Sequence, residues 1–361
     1  MTIGALIPAA GLSSRMGLCK TSMDLLGRPT LTWVVGSLHT AGIQCLVVTG
    51  HWRDEVAPLA RSMGCQMVHN PNYRQGMFSS VVTGFKAMPL HWDRIFLLPA
   101  DIPLVRPATL RRLTRQEGSV IYPTFNGQRG HPPLLHRDIT SVVLDWYGED
   151  GLRGALRSFE SRAIQVPVSD QGTILDMDDQ DDLKKIREMA RRRDIPTSDE
   201  RWALESLAGT PERVRRHEAK VAETAAILGN AAKRAGLPID QEALIAAGLL
   251  HDLCRIEKDH GAAGASMLRE HGFELLANIV AHHMDYPYRG VLDEGAILYL
   301  ADKLTCDDRL CSLDERLQRM LSKFQDRPTA RESAKRRLAK ARSILNDMAD
   351  LIGNDPMKFL R

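Results

Sequence analysis

The sequence predicts an α/β domain with a doubly wound, mostly parallel sheet, followed by an all-α bundle. In the first half, short apolar segments alternate with segments of helical periodicity. Strands that are apolar throughout are typical of a sheet covered on both faces, and strand–helix alternation is typical of a parallel sheet. From Asp181 onward the strand signals nearly vanish and amphipathic helical patterns follow one another. A chain of 361 residues is long enough for two domains of this kind.

The elements of the first half are predicted in strict alternation. Strands are predicted over residues 3–8, 44–49, 66–69, 94–99 and 119–123. Helices are predicted over residues 30–41, 54–63, 79–88, 107–116 and 181–193. This order favours parallel pairing of the strands, because each helix returns the chain to the same edge of the sheet.

A polar segment that contains Pro196 separates the two halves. We therefore predict a first domain over 1–193, a linker over 194–209 and a second domain over 210–361. Helices of the second domain are predicted over residues 212–234, 241–250, 261–271, 274–283, 294–303, 313–324 and 330–352. The last of these carries an apolar stripe that predicts packing or contact with another subunit.

Composition and charge exclude several classes of protein. Hydrophobic residues make up 43% and charged residues 26%, as in ordinary globular proteins, and the net charge of +3 argues against bulk nucleic-acid binding. No apolar run approaches the roughly 18 residues of a membrane helix. The first apolar run stops at Gly11 without a preceding basic region, so we expect no signal peptide. The six cysteines form no CxxC pair, and we expect reduced thiols in a cytoplasmic protein.

The segment over residues 3–20 is a candidate phosphate-binding loop. An apolar strand breaks at Gly11 into a loop of small residues, with Arg15 and Lys20 close behind. Glycine lets the backbone approach a phosphate, loop N–H groups face the anion, and the two cations neutralise it. These residues predict a nucleoside triphosphate site.

A carboxylate follows another apolar strand of the same domain. Asp101 comes after the strand predicted over 94–99, at the carboxyl end where open α/β sheets bind ligands. A carboxylate there suits Mg²⁺, which takes oxygen ligands, and a second could come from the segment 175–179. Taken alone, an aspartate in this position is more often a turn or helix cap.

Taken together, motifs in the first half resemble those of the molybdenum cofactor nucleotidyltransferases. The segments that carry the resemblance are 9–20, 70–80, 98–103, 127–132, 148–153 and 176–183. Ala9-Ala10-Gly11 and the Gly130-His131-Pro132 loop resemble the cytidylyltransferase branch, which transfers CMP from CTP to molybdopterin. The resemblance implies a Rossmann-like nucleotidyltransferase fold and in-line attack on the α-phosphate of CTP.

The same resemblance implies roles for individual residues. Those implied to bind the nucleotide are Ala10, Gly11, Arg15, Lys20, Asn70, Gly76 and Ser80. Asp101 and Asp178 are implied to bind Mg²⁺, and Gly130 and His131 to line the acceptor side. Arg15, Lys20 and Asp101 are the residues implied in catalysis, and a molybdoenzyme or a maturation factor is the implied protein partner. Glu149, Leu152 and Asp179-Gln180 depart from the family pattern. The acceptor therefore stays open, with a sugar phosphate or phosphocholine as alternatives.

The second half carries histidines and aspartates at helix-length separations. His217 shares a helix face with apolar residues, and His251-Asp252 ends an apolar helix. A lone inward histidine is more often a core residue than a ligand. Together with His260, His282 and Asp302, however, these residues predict a centre for Fe, Mn or Zn inside a helical bundle.

The order His…His-Asp…Asp resembles the HD-domain metal-dependent phosphohydrolases, in particular those that cleave diadenosine tetraphosphate. The resemblance implies that His217, His251, Asp252 and Asp302 hold a first metal and that His260 and His282 complete a second position. His283 is expected behind the ligands or exposed, and Asp252 is implied also to orient the attacking water. The whole chain is thus predicted to be a bifunctional enzyme. The alternative for the HD half is a regulatory nucleotide-binding module.

Overall fold

The structure, a computed structural model, describes residues 1–12 and 17–360. The chain divides between Arg193 and Asp194 into two compact units. Each unit has a hydrophobic core of its own, and each is described separately.

The first unit is built on an eight-stranded sheet. Its strands are β1 (Ile3–Ala9), β4 (Gln44–Thr49), β5 (Gln66–His69), β6 (Arg94–Leu97), β7 (Val120–Phe125), β8 (Gln128–Arg129), β9 (Leu134–His136) and β10 (Ile164–Pro167), with β2 (Asp24–Leu25) and β3 (Arg28–Pro29) forming a separate hairpin. The order is β10-β7-β9-β6-β1-β4-β5, and β8 pairs with β7. Strand β9 is antiparallel to both of its neighbours, whereas β6, β1, β4 and β5 are mutually parallel.

Helices cover both faces of this sheet. They are α1 (Thr30–Thr40), α2 (Arg53–Ser62), α3 (Met77–Ala87), α4 (Pro107–Thr114), α5 (Ile139–Leu144), α6 (Gly151–Ala155) and α7 (Gln180–Arg191). Alternate residues of β1 enter different cores: Ile7 packs with α1, α2 and α4, and Leu6 packs with α3 and α5. Burial on both faces explains why this strand is apolar throughout.

The predicted fold class is confirmed, but some elements were missed. Strands β9 and β10 and the short helices α5 and α6 are absent from the prediction, because segments of three to six residues carry too little periodicity to be recognised. The antiparallel β9 also departs from strict strand–helix alternation.

The second unit consists mainly of helices around one core. They are α8 (Ser198–Ala208), α9 (Glu212–Arg234), α10 (Gln241–Gly248), α11 (His260–Glu270), α12 (Glu274–Val280), α13 (Glu294–Lys303), α14 (Leu313–Lys323) and α15 (Pro328–Ile352), with a hairpin of β11 (Thr305–Cys306) and β12 (Arg309–Leu310). Residues 194–209, predicted as a linker, include α8, which begins with a capping box between Thr197 and Glu200. Helix α15 packs its apolar stripe, including Leu338 and Ile344, into the core of the same unit.

One expectation about the cysteines is wrong. A disulfide joins Cys306 and Cys311 across the small hairpin, whereas the other four cysteines are free thiols. The spacing of five residues fits a hairpin closure, and the sequence carried no strand signal there that could have revealed it. No helix among the described residues is both long enough and apolar enough to cross a bilayer.

Candidate functional site

The first site lies where the loop after β1 leaves the carboxyl end of the sheet. A cavity of about 210 Å³ opens there, lined by residues that include Ala10, Gly11, Lys20, Gly76 and Ser80. The N–H of His51 donates to the carbonyl of Ala10 at 3.3 Å, so the loop rests on the end of β4. Arg15 lies outside the described residues.

Lys20 brings the two predicted carboxylates together. Its Nζ lies 2.8 Å from Oδ1 of Asp178 and 3.8 Å from Oδ2 of Asp101. The N–H of Met177 donates to the carbonyl of Asp101 at 3.0 Å, which fixes the two acidic segments side by side. Burial raises the pKa of Asp101, and Lys20 opposes that shift without cancelling it. A divalent cation beside these carboxylates would stabilise the ionised form, so the donor set fits Mg²⁺.

Asn70 lies beneath the cavity and does not line it. Its side chain is fully buried, and its Nδ2 donates to the hydroxyls of Ser79 and Ser80 at 2.9 and 3.0 Å. Its Oδ1 accepts from the N–H of Asn72 at 2.9 Å. The amide is therefore occupied by internal contacts, one of them with Ser80, which lines the cavity. Gly76, with φ of +96°, directly precedes α3 at the cavity wall.

Gly130 and His131 line a second, larger cavity of about 660 Å³ in the same unit. Three arginines surround it: Arg129 pairs with Glu160, Arg157 pairs with Asp150, and Arg153 is exposed without an ion pair among the described residues. Burial lowers the pKa of His131, and Asp176 opposes that shift. Asp176 thus acts electrostatically both on His131 at this cavity and on Asp101 at the first one.

In the second unit, a cluster of imidazoles surrounds Asp252. His217 comes from α9, His251 and Asp252 from the turn after α10, His260 from the start of α11, and His283 from the turn after α12. The ligand atoms of His217, His251 and Asp252 all lie within 4.8 Å of one another, and the same holds for Asp252, His260 and His283. Asp252 thus belongs to two adjoining groups of three donors.

His251 and His283 each direct the lone pair of Nε2 toward the carboxylate of Asp252. Nδ1 of His251 donates to the carbonyl of Gly248 at 2.9 Å, and Nδ1 of His283 donates to that of Val280 at 2.8 Å. The Nε2 atoms of both rings are buried and lack a hydrogen-bond partner. They lie 3.8 and 3.3 Å from the oxygens of Asp252. Two acceptors face each other in each contact, and a divalent cation between them would satisfy both.

The electrostatics of the cluster favour the metal-binding forms of His251 and Asp252. Burial lowers the pKa of His251 to about 4, so its ring is neutral at neutral pH. Burial opposes the ionisation of Asp252, but the surrounding imidazoles outweigh it and hold its pKa well below the usual range. A neutral imidazole and an ionised carboxylate are the forms that bind Fe, Mn or Zn.

Asp302 lies at the edge of the first group of donors. Its Oδ1 is 3.3 Å from Nε2 of His217, and Lys303 and Arg316 pair with the same carboxylate. These two buried or half-buried cations were not foreseen from the sequence. Nζ of Lys303 also donates to the carbonyl of His283 at 3.2 Å, so it ties α13 to the turn that carries that histidine.

The structure does not bring His282 into the cluster. Its side chain is exposed, whereas the neighbouring His283 is 1% exposed and stands 3.3 Å from Asp252. Helix α12 ends at Val280, and the turn that follows directs the second of the two histidines inward. The burial of Leu276, Ala277 and Val280 already indicates position 283, which continues their helical spacing.

Arg255 lies beside the second group of donors. Its Nη1 is 2.7 Å from Nε2 of His260, and its Nε is 3.5 Å from Oδ2 of Asp252. Its side chain is 46% exposed, so the guanidinium is open to solvent while it contacts these donors. This residue was also not foreseen.

Comparisons with known proteins agree with the two-part organisation. Residues 5–164 match the family model of the MobA-like NTP transferase domain, and residues 214–307 match that of the HD domain. Over 197 residues the chain is 27% identical to the molybdenum cofactor cytidylyltransferase of Escherichia coli. This alignment covers 52% of this chain and 96% of that protein. Over 156 residues it is 32% identical to the bifunctional protein GlmU of Corynebacterium aurimucosum, covering 38% of this chain and 31% of the relative.

Among solved structures, a nucleotidyl transferase from Methanothermobacter thermautotroptrophicus is similar to this chain. The superposition covers 53% of this chain and 99% of that protein. The TM-score is 0.48 and the sequence identity 25%.

Proposed function

Because the chain joins a MobA-like NTP transferase domain to an HD domain, we propose that it transfers CMP from CTP to molybdopterin and also hydrolyses a phosphate ester. The transfer belongs to the first unit and the hydrolysis to the second. The observation that carries the first activity is the convergence of Lys20, Asp101 and Asp178 at the cavity behind the β1 loop.

The proposed transfer follows from the charges at that cavity. An oxygen of the terminal phosphate of molybdopterin attacks the α-phosphorus of CTP, the bond to the β-phosphate breaks, and pyrophosphate leaves. Asp101 and Asp178 would hold Mg²⁺, which supplies charge neutralisation for the triphosphate. The Nζ of Lys20 neutralises further negative charge, and the backbone at Ala10 and Gly11 allows the phosphates a close approach.

The second cavity suits the acceptor. Gly130 and His131 line it beside the carboxylates, and Arg153 offers a guanidinium that no carboxylate of the described residues occupies. A guanidinium binds a phosphate with paired hydrogen bonds, so this cavity fits a phosphorylated acceptor. The choice of molybdopterin rests on the motifs and on the similarity to the cytidylyltransferase of Escherichia coli.

Pyrophosphate release by the full-length chain tests the transfer. CTP, GTP and ATP are compared with Mg²⁺ and molybdopterin, and Asp101→Asn is set against Asp181→Asn as the control. Asp181 is an exposed carboxylate that pairs with Lys184 on α7. We expect CTP-selective release that falls by at least about a hundredfold in Asp101→Asn alone. Equal loss in both variants would contradict the role of Asp101, and release only with another phosphorylated acceptor would contradict molybdopterin as substrate.

The proposed hydrolysis rests on the cluster around Asp252. His217 and His251, together with Asp252, would hold one divalent ion, and His260 and His283 would complete a second position with the same carboxylate. Metal ions held there would activate a water and neutralise charge on the phosphate. Asp252, which belongs to both groups of donors, would also orient that water, and Arg255 would bind the phosphate.

Hydrolysis of bis(4-nitrophenyl) phosphate and of 4-nitrophenyl phosphate with Mn²⁺, Fe²⁺ or Zn²⁺ tests this half. We expect turnover that is lost in Asp252→Asn and retained in Asp308→Asn, an exposed carboxylate of the same unit. Stoichiometric metal binding without turnover of either ester or of diadenosine tetraphosphate would instead indicate a regulatory binding module.

A further inference from the structure

A cluster of soft donors lies at the opposite end of the parallel strands from the nucleotide cavity. Cys45 is the second residue of β4, and Cys65 directly precedes β5. The parallel register pairs Leu46 with Gln66, so the two cysteines stand level at the amino ends of neighbouring strands. The cavity behind the β1 loop lies at the carboxyl ends of the same sheet.

An imidazole converges on this pair. His39 lies in the last turn of α1, and the chain reaches β4 through a tight turn in which the N–H of Gly42 donates to the carbonyl of His39 at 2.9 Å. The ligand atoms of His39, Cys45 and Cys65 all lie within 4.8 Å of one another. Three different elements thus direct metal-ligating atoms to one point.

Two of the three donors are buried and one is exposed, so an ion can enter the site from solvent. Cys45 is 4% exposed and Cys65 is 8% exposed, and both are free thiols. His39 is exposed, and its ring has no hydrogen-bond or ion-pair partner within the described part of the chain. The sulfurs therefore form the floor of the site and the imidazole its open side.

We propose that His39, Cys45 and Cys65 form a binding site for Zn²⁺ in the first unit, separate from the nucleotide cavity and from the cluster around Asp252. Two thiolates and one imidazole are donors that Zn²⁺ prefers over hard cations, and a water molecule at the exposed side would complete four ligands. Binding replaces the protons of both thiols, which pass to solvent. The distance from the carboxyl ends of the strands gives the ion a structural role.

Cobalt(II) titration of the full-length chain tests the site, in the absence of oxygen and of reductant so that the Cys306–Cys311 disulfide stays closed. Thiolate ligands give cobalt an intense charge-transfer absorption in the near ultraviolet, which imidazole and carboxylate ligands do not give, so binding around Asp252 does not interfere. We expect this absorption to saturate at the intensity of one thiolate-bound cobalt per chain, whatever cobalt the donors around Asp252 also bind. We also expect its removal by added Zn²⁺ and its loss in Cys45→Ser and in Cys65→Ser. Cys254→Ser is the matched control, since Cys254 is a buried free thiol close to Asp252 and must leave the absorption unchanged.

His39→Ala completes the test without disturbing the core, because His39 is exposed. We expect the apparent cobalt affinity of the thiolate site to fall at least about tenfold in this variant. Absence of the absorption at saturating cobalt, its persistence in both cysteine variants, or an unchanged affinity in His39→Ala would each overturn the proposal. Circular dichroism of each variant shows whether it is folded. If the serine variants do not fold, the wild type and His39→Ala decide the question.

Discussion

The adjacent histidines at the end of α12 allow a sharp prediction, because the structure assigns them opposite environments. His283 is buried with its Nε2 3.3 Å from Asp252, and His282 is exposed. We expect His283→Ala to lose metal from the second group of donors and to lose hydrolysis, and His282→Ala to keep both. The substitution is the same at both positions, so only the direction of the side chain differs.

The size of the effect follows from the contacts. Loss of a residue that only orients a metal ligand costs about 10–100-fold in metal affinity. His283 supplies a donor atom itself, so its loss should cost at least about a hundredfold, which corresponds to about 2.7 kcal/mol. The carbonyl of Val280 also loses its buried hydrogen bond, which lowers the free energy of unfolding by a further 1–3 kcal/mol or so. An exposed substitution such as His282→Ala should stay within about 0.5 kcal/mol of the parent.

The assay combines metal content after equilibrium dialysis with hydrolysis of bis(4-nitrophenyl) phosphate. Urea unfolding of the metal-free chain separates the structural cost of His283→Ala from the loss of metal. Equal losses of metal and turnover in the two variants would refute the assignment of His283. A greater loss in His282→Ala would restore the expectation drawn from the family resemblance.

Three further predictions concern the first unit. Asn70→Ala removes three internal hydrogen bonds, so we expect the free energy of unfolding to fall by about 2–3 kcal/mol and the KM for CTP to rise as Ser80 loses its position; urea unfolding and pyrophosphate release measure the two effects. Gly50→Ala would place a Cβ 2.5 Å from the carbonyl oxygen of Ala10, so we expect weaker CTP binding in a titration, while unchanged binding would show that the loop can shift freely. The folded state lowers the pKa of His131, so the unfolded chain binds its proton first and stability falls as the pH drops below about 6.5. His131→Gln should flatten this loss, which urea unfolding at about pH 7 and about pH 5 measures.

The parallel core of the sheet could be predicted from sequence because burial on both faces leaves a strong signal. Strands β1 and β4 are almost wholly buried apolar runs at the predicted positions, and helices of ordinary length, α1 and α2, follow them in the chain. Strand β9 has three residues and pairs antiparallel with β6 and β7, so its place depends on tertiary pairing that no local pattern records. Long helices of the second unit such as α9 and α15 were predictable because each buries an apolar stripe, whereas α8 lies in the segment predicted as a linker.

The residues of the candidate sites also differ in how far the sequence predicts them. Residues at strand ends, such as Asp101, and on helix faces, such as His217, could be placed from periodicity alone. Helical spacing from Leu276 and Val280 continues to position 283, and only the family resemblance favours the neighbouring His282. The cations that pair with the acids, Lys303 and Arg316 beside Asp302, come from positions whose contacts only the folded chain defines.

Lys20 and Arg255 occupy comparable positions in the two proposed sites. Lys20 pairs with Asp101 and Asp178 in the first unit, and Arg255 lies beside Asp252 and His260 in the second. In each case a basic side chain balances the negative charge of carboxylates that a divalent ion would also neutralise. The positive charge of that side chain is also what a bound phosphate requires. A divalent ion that takes over the carboxylates therefore releases the basic group toward the incoming phosphate. Metal binding and phosphate binding should consequently reinforce each other in both units, although the two sites share neither fold nor ligands.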